Sequence, residues 1–445
     1  MNKPQILLSI TERKSYLKRL LYELEFSEDA ICKALYQDFK KPAFETVLTE
    51  THYVKSVIKE LLGNLDSWTK PKWVLPSLLN FPSTEYILKD PYGSVLVIAP
   101  WNYPFQLALC PAIAAFAAGN RVTLKPSEIT PTTSSIIADL MGRVFPKEWI
   151  EIIEGDATIA SQLLAQRWDY IFFTGSVAVG KLVAQAAAQH LTSTTLELGG
   201  KNPCIVHSSA TIQLSAKRIV WGKCINAGQT CIAPDYVLVD AKIKDQLVQA
   251  IQVEIENAYG TNTAQSPDFT RIVNKTHFNR LIKLLENQTI LYGGNADVDD
   301  HFISPTLVNE PSLESALMQD EIFGPILPII SYQSESEIET IIARYEKPLA
   351  LYVFANDKSF SQKISTQFSF GGGCINDTVI QFNNKRLPFG GVGHSGYGAY
   401  HGKYSIDTFL HHKSMVRKAN WLDLPMRYAP YKNKLAGIRK MLRWL

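Results

Sequence analysis

Between Val95 and Leu198, short apolar runs alternate with stretches of helical periodicity, and this alternation restricts the fold more than any other property of the chain. Val95–Ile98 is followed by an apolar helix over Leu107–Ala118, and Arg121–Leu124 by a helix from Thr133. Glu151–Ile153 precedes a helix over 157–166, Tyr170–Phe173 precedes one over 179–190, and Thr194–Leu198 closes the series. Strands that are apolar throughout and separated by crossover helices pair in parallel and are covered on both faces. The spacing predicts a doubly wound α/β sheet, in which ligands gather beyond the C-terminal strand ends.

A chain of 445 residues exceeds what one core serves, so more than one domain is expected. Residues 1–70 read as amphipathic helices, with Tyr16, Leu20, Leu21 and Leu24 on one face and Val54, Ile58, Leu61, Leu62 and Leu65 on another. Pro71, Pro76 and Pro82 mark an irregular crossing segment, and Glu85–Ala99 reads as two strands turning at Asp90–Gly93. After Asn202 the alternation resumes: helix 211–224, strand Tyr236–Val239, helices 242–258 and 276–286, strand Thr289–Tyr292, helix 335–344 and strand Ala350–Phe354. This is a second α/β domain over 201–405, with no low-complexity linker before it. Residues 430–445 form a basic amphipathic helix candidate, with Leu435, Ile438, Leu442 and Leu445 on one face and Lys434, Arg439, Lys440 and Arg443 elsewhere.

A net charge of +3 gives no electrostatic case for binding nucleic acid. Six scattered cysteines without a CxxC pair point to a reducing compartment, and nine histidines without HExxH give no expectation of a metal. Met1–Leu8 lacks the shape of a signal peptide, and Leu107–Ala118, which contains Pro111, is too short to span a bilayer. A cytoplasmic enzyme is expected.

Several polar clusters fall at predicted strand ends. Cys231 lies in a small polar turn, Gly222–Pro234, between a helix and a strand, where a thiol is either a positioned nucleophile or ordinary packing. Thr174-Gly175-Ser176 and Gly180-Lys181 follow a strand and open a helix, which suits a phosphate or a plain β–α turn. Leu182 stands where a P-loop needs Ser or Thr, so ATP hydrolysis is disfavoured. Gly391-Val392-Gly393-His394-Ser395-Gly396 matches GxGxxG by letter but has no strand–turn–helix around it, and is expected to shape a loop. Lys125-Pro126-Ser127-Glu128 carries a cation and a carboxylate suited to ribose hydroxyls, and Pro100-Trp101-Asn102-Tyr103-Pro104 carries an amide. Glu197, enclosed by Leu196 and Leu198, is either a desolvated general base or an outward strand residue. Asp320-Glu321-Ile322-Phe323-Gly324-Pro325 adds an acid beside a ring.

Taken together and in this order, these motifs resemble the aldehyde dehydrogenase superfamily over roughly residues 5 to 430, and Leu387–Gly393 with Gly398–Lys403 resemble its class 3 type. The resemblance implies a Rossmann-like cofactor domain over 1–83 and 99–200, an α/β catalytic domain over 201–405, oligomerisation strands at 84–98 and 406–425, and a tail at 426–445. It implies oxidation of medium- or long-chain aliphatic or aromatic aldehydes by NAD or NADP, without a metal, in a homodimer. Cys231 would attack the aldehyde, and Asn102 with the Cys231 N–H would stabilise the oxyanion. Hydride would pass to the nicotinamide, and Glu197 would activate water against the thioester. Glu321 and Phe323 would contact the nicotinamide ribose, Lys125 and Glu128 the adenosine ribose, and Thr174, Gly175, Ser176, Gly180, Leu198 and Gly199 the rest of the cofactor. Tyr103 and Gln381, the latter where class 3 members often have His, would border the substrate, while Cys224 and His394 depart from the usual pattern. Some relatives anchor in membranes through a longer tail, so residues 430–445 could lie on a membrane surface or dock on the dimer. A CoA-acylating enzyme and a cysteine esterase are the alternative activities.

Overall fold

In the computed structural model, which describes residues 8–443, the chain opens on the helix Ile10–Phe39. Its start is set by Ser9 and Glu12, each side chain accepting the other's backbone N–H in a capping box. The readings of Met1–Leu7 and of Leu445 lie outside the described residues. Leu20 and Leu24 meet Val54, Ile58, Leu61 and Leu65 of the helix His52–Thr69 in a buried core, as the periodicity predicts; Leu17 joins them, while Tyr16, Leu21 and Leu62 are only partly buried.

Strands β1 (Lys72–Val74) and β2 (Ser83–Pro91) lead into β3 (Ser94–Ile98), β4 (Arg121–Lys125), β5 (Ile150–Ile152), β6 (Tyr170–Thr174) and β7 (Ser193–Glu197). These are followed by β8 (Pro203–Val206), β9 (Tyr236–Asp240), β10 (Ile290–Tyr292), β11 (Ala296–Asp297), β12 (Phe302–Ile303) and β13 (Thr306–Asn309). Last come β14 (Ile326–Tyr332), β15 (Ala350–Phe354), β16 (Gly372–Ile375), β17 (Gly396–Tyr397) and β18 (Leu410–Lys418).

The first large sheet has the order β17-β7-β6-β3-β4-β5, parallel except for β17. Strand order reverses between β3 and β6, so the segments after them flank the crevice where doubly wound sheets hold ligands. Helix Gln106–Ala118, all thirteen residues buried, crosses from β3 to β4. It tolerates Pro111 because its apolar surface is covered on every side. The second sheet has the order β10-β13-β14-β9-β8-β15-β16, parallel except for β10.

The structure departs from the sequence reading at three places. β2 does not pair with β3: β2 lies in a separate antiparallel sheet, β1-β2-β18, whereas Ser94–Ile98 joins the first large sheet rather than the arm. β8 and β14 sit beside β9 at the centre of the second sheet without having been anticipated, as do β13 and β16 further out. β8 is four residues long, and β14 carries Pro328, which normally argues against an inner strand. The glycine-rich segment leaves the second domain, because β17 pairs antiparallel with the end of β7, Gly396 opposite Glu197.

Gly396 has φ +120°, and a Cβ there would lie 2.0 Å from the Leu196 carbonyl oxygen. Gly63, in the helix His52–Thr69, has open space around it. Gly63→Ala is therefore expected to stabilise the protein by about 1 kcal/mol. Gly396→Ala should destabilise it by at least ~2 kcal/mol. Denaturant unfolding of both variants checks the pair.

Candidate active site

The turn carrying Cys231 is built from buried amides. After helix Ile212–Cys224 the backbone turns through positive φ at Asn226 (54°), Ala227 (51°) and Gly228 (74°). At Gly228 a Cβ would lie 2.3 Å from the Gly324 carbonyl oxygen. Asn226 Nδ2 donates to the carbonyls of Asn102 (2.8 Å) and Gln229 (3.1 Å). Gln229 Nε2 donates to the carbonyls of Asn226 (3.1 Å) and Arg271 (3.0 Å), and its Oε1 accepts from Val273 N–H (3.0 Å). Asn102, which follows β3, donates from Nδ2 to the Gln229 carbonyl (3.1 Å), and the second hydrogen of that amide is left for a ligand. Glu45 accepts from Asn226 N–H (3.0 Å), so the N-terminal helical segment also holds the turn.

Two spaces meet at this turn. A cleft of about 600 Å³ is lined by Trp101, Asn102, Gly175, Ser176, Leu198, Gly199, Glu321 and Phe323, among others. A narrower apolar cavity of about 100 Å³ is lined by Tyr53, Tyr103, Trp221, Phe382, Phe389 and Tyr400 with smaller neighbours. Among the described residues, Thr174, Glu197 and Cys231 border both. The ends of β6 and β7 and the turn before β9 thus converge on one point.

Electrostatics here follow from dryness. Glu197 is buried, neither carboxylate oxygen has a hydrogen-bond partner, and burial raises its pKa well above the carboxylate range. Burial also pushes the half-buried Cys231 thiol up, and the nearby charges of Glu321 and Glu197 push it further. The backbone N–H groups of Cys231 and Ile232 reach its sulfur and pull the other way. Glu321 is raised to about 8 by burial and by the charge of Asp235. Burial and Arg280 lower His277, against the Trp101 ring, to about 4, so it is neutral at pH 7. Cys224 is buried and its thiol is raised to about 12, as inert packing requires.

The cleft fits a dinucleotide on features of this chain. Helix Val177–Gln189 points its N-terminus, capped by Ser176 (Oγ accepting from Val179 N–H, 3.4 Å), into it, which suits a phosphate. The Thr174 hydroxyl is buried without a partner. A Cβ on Gly199 would lie 2.0 Å from Glu321 Oε2, so the chain is bare where that acid enters. Lys125 and Glu128 pair with each other at the end of β4 and do not line this cleft. Gly180 lies one turn inside the helix, where a Cβ would meet Leu198 Cδ2 at 2.6 Å, and so permits packing. Gln381 lines neither space and bonds to Tyr352 and Cys374 instead. His394 does border the cleft. Among the described residues no group of three or more His, Cys, Asp or Glu is placed to hold a metal.

Two buried ion pairs were not assigned from the sequence. Lys41 and Glu50 (2.9 Å) are wholly buried, Glu50 accepts from Gln106 N–H (2.7 Å), and the Lys41 ammonium sits 4.0 Å from the Tyr103 ring centroid. Lys201 pairs with Asp235 (2.6 Å) and donates to the carbonyls of Leu317 (2.9 Å) and Asp320 (3.0 Å), while Asp235 accepts from Ile322 N–H (2.9 Å). That network fixes the segment bearing Glu321 and Phe323. Lys201→Met leaves Asp235 buried and unpaired, and is expected to cost about 3–5 kcal/mol in denaturant unfolding. Cofactor affinity, measured by fluorescence titration, should weaken with it.

A sequence model of the aldehyde dehydrogenase family matches residues 6–415. A Staphylococcus aureus (strain NCTC 8325 / PS 47) protein named 4,4'-diaponeurosporen-aldehyde dehydrogenase is 46% identical over 436 residues, covering 98% of this chain and 95% of that protein. Human aldehyde dehydrogenase family 3 member B1 is 43% identical over 420 residues, covering 94% and 90%. A solved structure described as the substrate bound state of Staphylococcus aureus AldH superposes with a TM-score of 0.96 at 46% identity, covering 98% and 95%. Agreement of this extent, over a chain whose two sheets meet around one thiol, makes the protein a member of the aldehyde dehydrogenase family, of its class 3 type, that oxidises aldehydes with NAD(P).

Proposed function

We propose that Cys231 is the nucleophile of this dehydrogenase, that Glu197 activates water, and that Asn102 Nδ2 and the Cys231 backbone N–H receive the oxyanion. One observation carries the reading: Cys231 and Glu197 border both the cofactor-sized cleft and the apolar cavity, so an aldehyde in one space and a hydride acceptor in the other meet at the thiol. The Cys231 sulfur adds to the carbonyl carbon, and its proton leaves to solvent. The resulting alkoxide lies among preorganised donors, each typically worth about 10²–10³ in rate. NAD or NADP, bound in the cleft, supplies the acceptor for the hydride. On the thioester left at Cys231, Glu197 takes a proton from water as the hydroxyl adds to the carbonyl carbon; the C–S bond then breaks, the carboxylic acid leaves, and the sulfur takes the proton back from Glu197.

Trp101, Thr174, Gly175, Ser176, Leu198, Gly199, Glu321 and Phe323 would hold the cofactor, while Lys125 and Glu128, paired at the end of β4 outside the cleft, would meet only an adenosine ribose that extends beyond it. The Glu128 carboxylate, paired with Lys125, favours a free 2′-hydroxyl over a 2′-phosphate. Tyr103 and its apolar neighbours would take the aldehyde tail, which favours medium- or long-chain aliphatic and aromatic aldehydes. A relative named for 4,4'-diaponeurosporen-aldehyde agrees with an apolar substrate.

The domains follow the same reading. The first large sheet would carry the cofactor, the second would carry the thiol, and β1, β2 and β18 would form an arm that meets a second copy. Trp73, Leu75, Leu78 and Phe81, all well exposed on or beside that arm, support a homodimer. The helix Leu435–Leu442 exposes Leu435 and Leu442 and has no buried residue, which supports contact with an anionic membrane surface. None of the described helices is long and apolar enough to cross a membrane.

Cys231→Ser should abolish aldehyde-dependent NADH formation at 340 nm; substantial oxidation in that variant would move the nucleophile elsewhere. Because burial raises the Glu197 pKa, its base form is gained as pH rises, and thioester hydrolysis should climb with pH. Glu197→Gln should still give a burst of NADH, accumulate acyl-enzyme by mass spectrometry, and lose that pH dependence. Light scattering should find a dimer, and liposome co-sedimentation should fall when residues 430–445 are removed.

A further inference from the structure

Every carbonyl from Cys231 to Ala233 is held by a buried side chain. Asn202 Nδ2 donates to the carbonyls of Cys231 (2.8 Å) and Ala233 (3.0 Å). The carbonyl between them, that of Ile232, accepts from the hydroxyl of Tyr352 (2.5 Å), whose ring is fully buried in β15. Gln381 Nε2 donates to that same hydroxyl oxygen (3.1 Å), and the Cys374 thiol donates to Gln381 Oε1 (2.9 Å). The chain therefore has a direction. Cys374 orients the Gln381 amide, the amide nitrogen occupies the phenol oxygen, and the single phenol hydrogen is left for Ile232.

The other end of this chain lies in the wall of the apolar cavity. Val379, Phe382 and Asn383, which flank Gln381, line that cavity with Ile232 itself. Val379 has φ +64°, a costly conformation for a β-branched residue that must be imposed by its surroundings. Thr378, wholly buried, donates to the Arg218 carbonyl (2.8 Å) on one side, and Gln381 makes its bonds on the other. Gln381 thus ties a strained cavity wall to the residue that follows Cys231.

We propose that Tyr352 and Gln381 are positioning residues that act as one unit: they fix the Cys231 turn through the Ile232 carbonyl and anchor the 379–383 wall to it. The proposal rests on Cys231 being the nucleophile. It assigns Gln381 a role in holding the thiol rather than in touching the aldehyde. Small displacements of a reacting group carry large rate penalties, so the loss should appear in kcat, with KM for aldehyde and cofactor little changed.

The test is a double-mutant cycle on the full-length enzyme. Tyr352→Phe and Gln381→Leu should each lower kcat, Tyr352→Phe by about tenfold. The double variant should be no worse than Tyr352→Phe alone. Gln381→Glu provides a directional check. An ionised carboxylate can only accept, so it draws the phenol hydrogen away from Ile232; protonated, it can donate again. The ratio of wild-type to Gln381→Glu kcat should be large at high pH and shrink as pH falls, which a loss of packing would not produce. A Tyr352→Phe kcat within twofold of wild type, additive losses in the double variant, or a pH-independent ratio would each overturn the relay. If Tyr352→Phe does not fold, the Gln381→Glu ratio decides alone. Cys231→Ser run in parallel separates the two failures: retained oxidation there overturns the nucleophile, whereas its absence beside a normal Tyr352→Phe overturns the relay only.

Discussion

Lys201 and Asn202, neighbours in the short link between β7 and β8, are the constraint from which the rest of the site follows. Asn202 is buried, and its side chain joins the start of its own strand, β8, to those of two others: its Nδ2 reaches the carbonyls of Cys231 and Ala233 before β9, and its Oδ1 accepts from Ala350 N–H (2.8 Å) in β15. Its own carbonyl accepts from Asp235 N–H (2.9 Å). Lys201 does the same for the cofactor side by gripping Asp235 and the segment before Glu321. A pair of adjacent residues thus ties the Cys231 turn and the segment before Glu321 to one point of the chain. Buried amides and ammonium groups serve well here because leaving any one of them unpaired is so costly.

The chemistry depends on the opposite condition. Around the thiol, polar atoms are left unpaired: both Glu197 oxygens and the Thr174 hydroxyl lack partners in a buried place. Burial raises the acid and the thiol together, so the protonated form of each is favoured where the two spaces meet. The protein keeps such a site only because the turn around it is over-determined by Asn226, Gln229 and Asn202. Rigid scaffold and unsatisfied centre are therefore one design, with the stability of the first offsetting the cost of the second.

What could be read from the sequence was whatever had local periodicity or a local motif. The βα alternation from Val95 to Leu198 located β3 to β7, and the strand–turn–helix at Thr174–Ser176 lines the larger cleft, whereas the letter match at Gly391–Gly396 runs into β17. Cys231, Glu197, Asn102 and Tyr103 all lie at the junction or along one of its two spaces. β8 and β14 were not visible, since one is four residues long and the other has Pro328 in its middle. The ion pairs Lys41–Glu50 and Lys201–Asp235 were also invisible, because a lysine that will be buried looks like any other until the fold closes over it. Gln381 shows the same limit from the other side. Its neighbours face the cavity, but its amide turns inward to a tyrosine about 30 residues away, a pairing without local signal.

β17 has a consequence for how such a chain comes to be made. The strand that ends in Glu197 keeps one open edge until Gly396 and Tyr397, encoded about 200 residues later, lie down along it. On the ribosome the first sheet emerges long before its last strand, and the acid at its edge waits uncovered while the whole second sheet is synthesised. A product that stops before Gly396 lacks the strand that closes this edge.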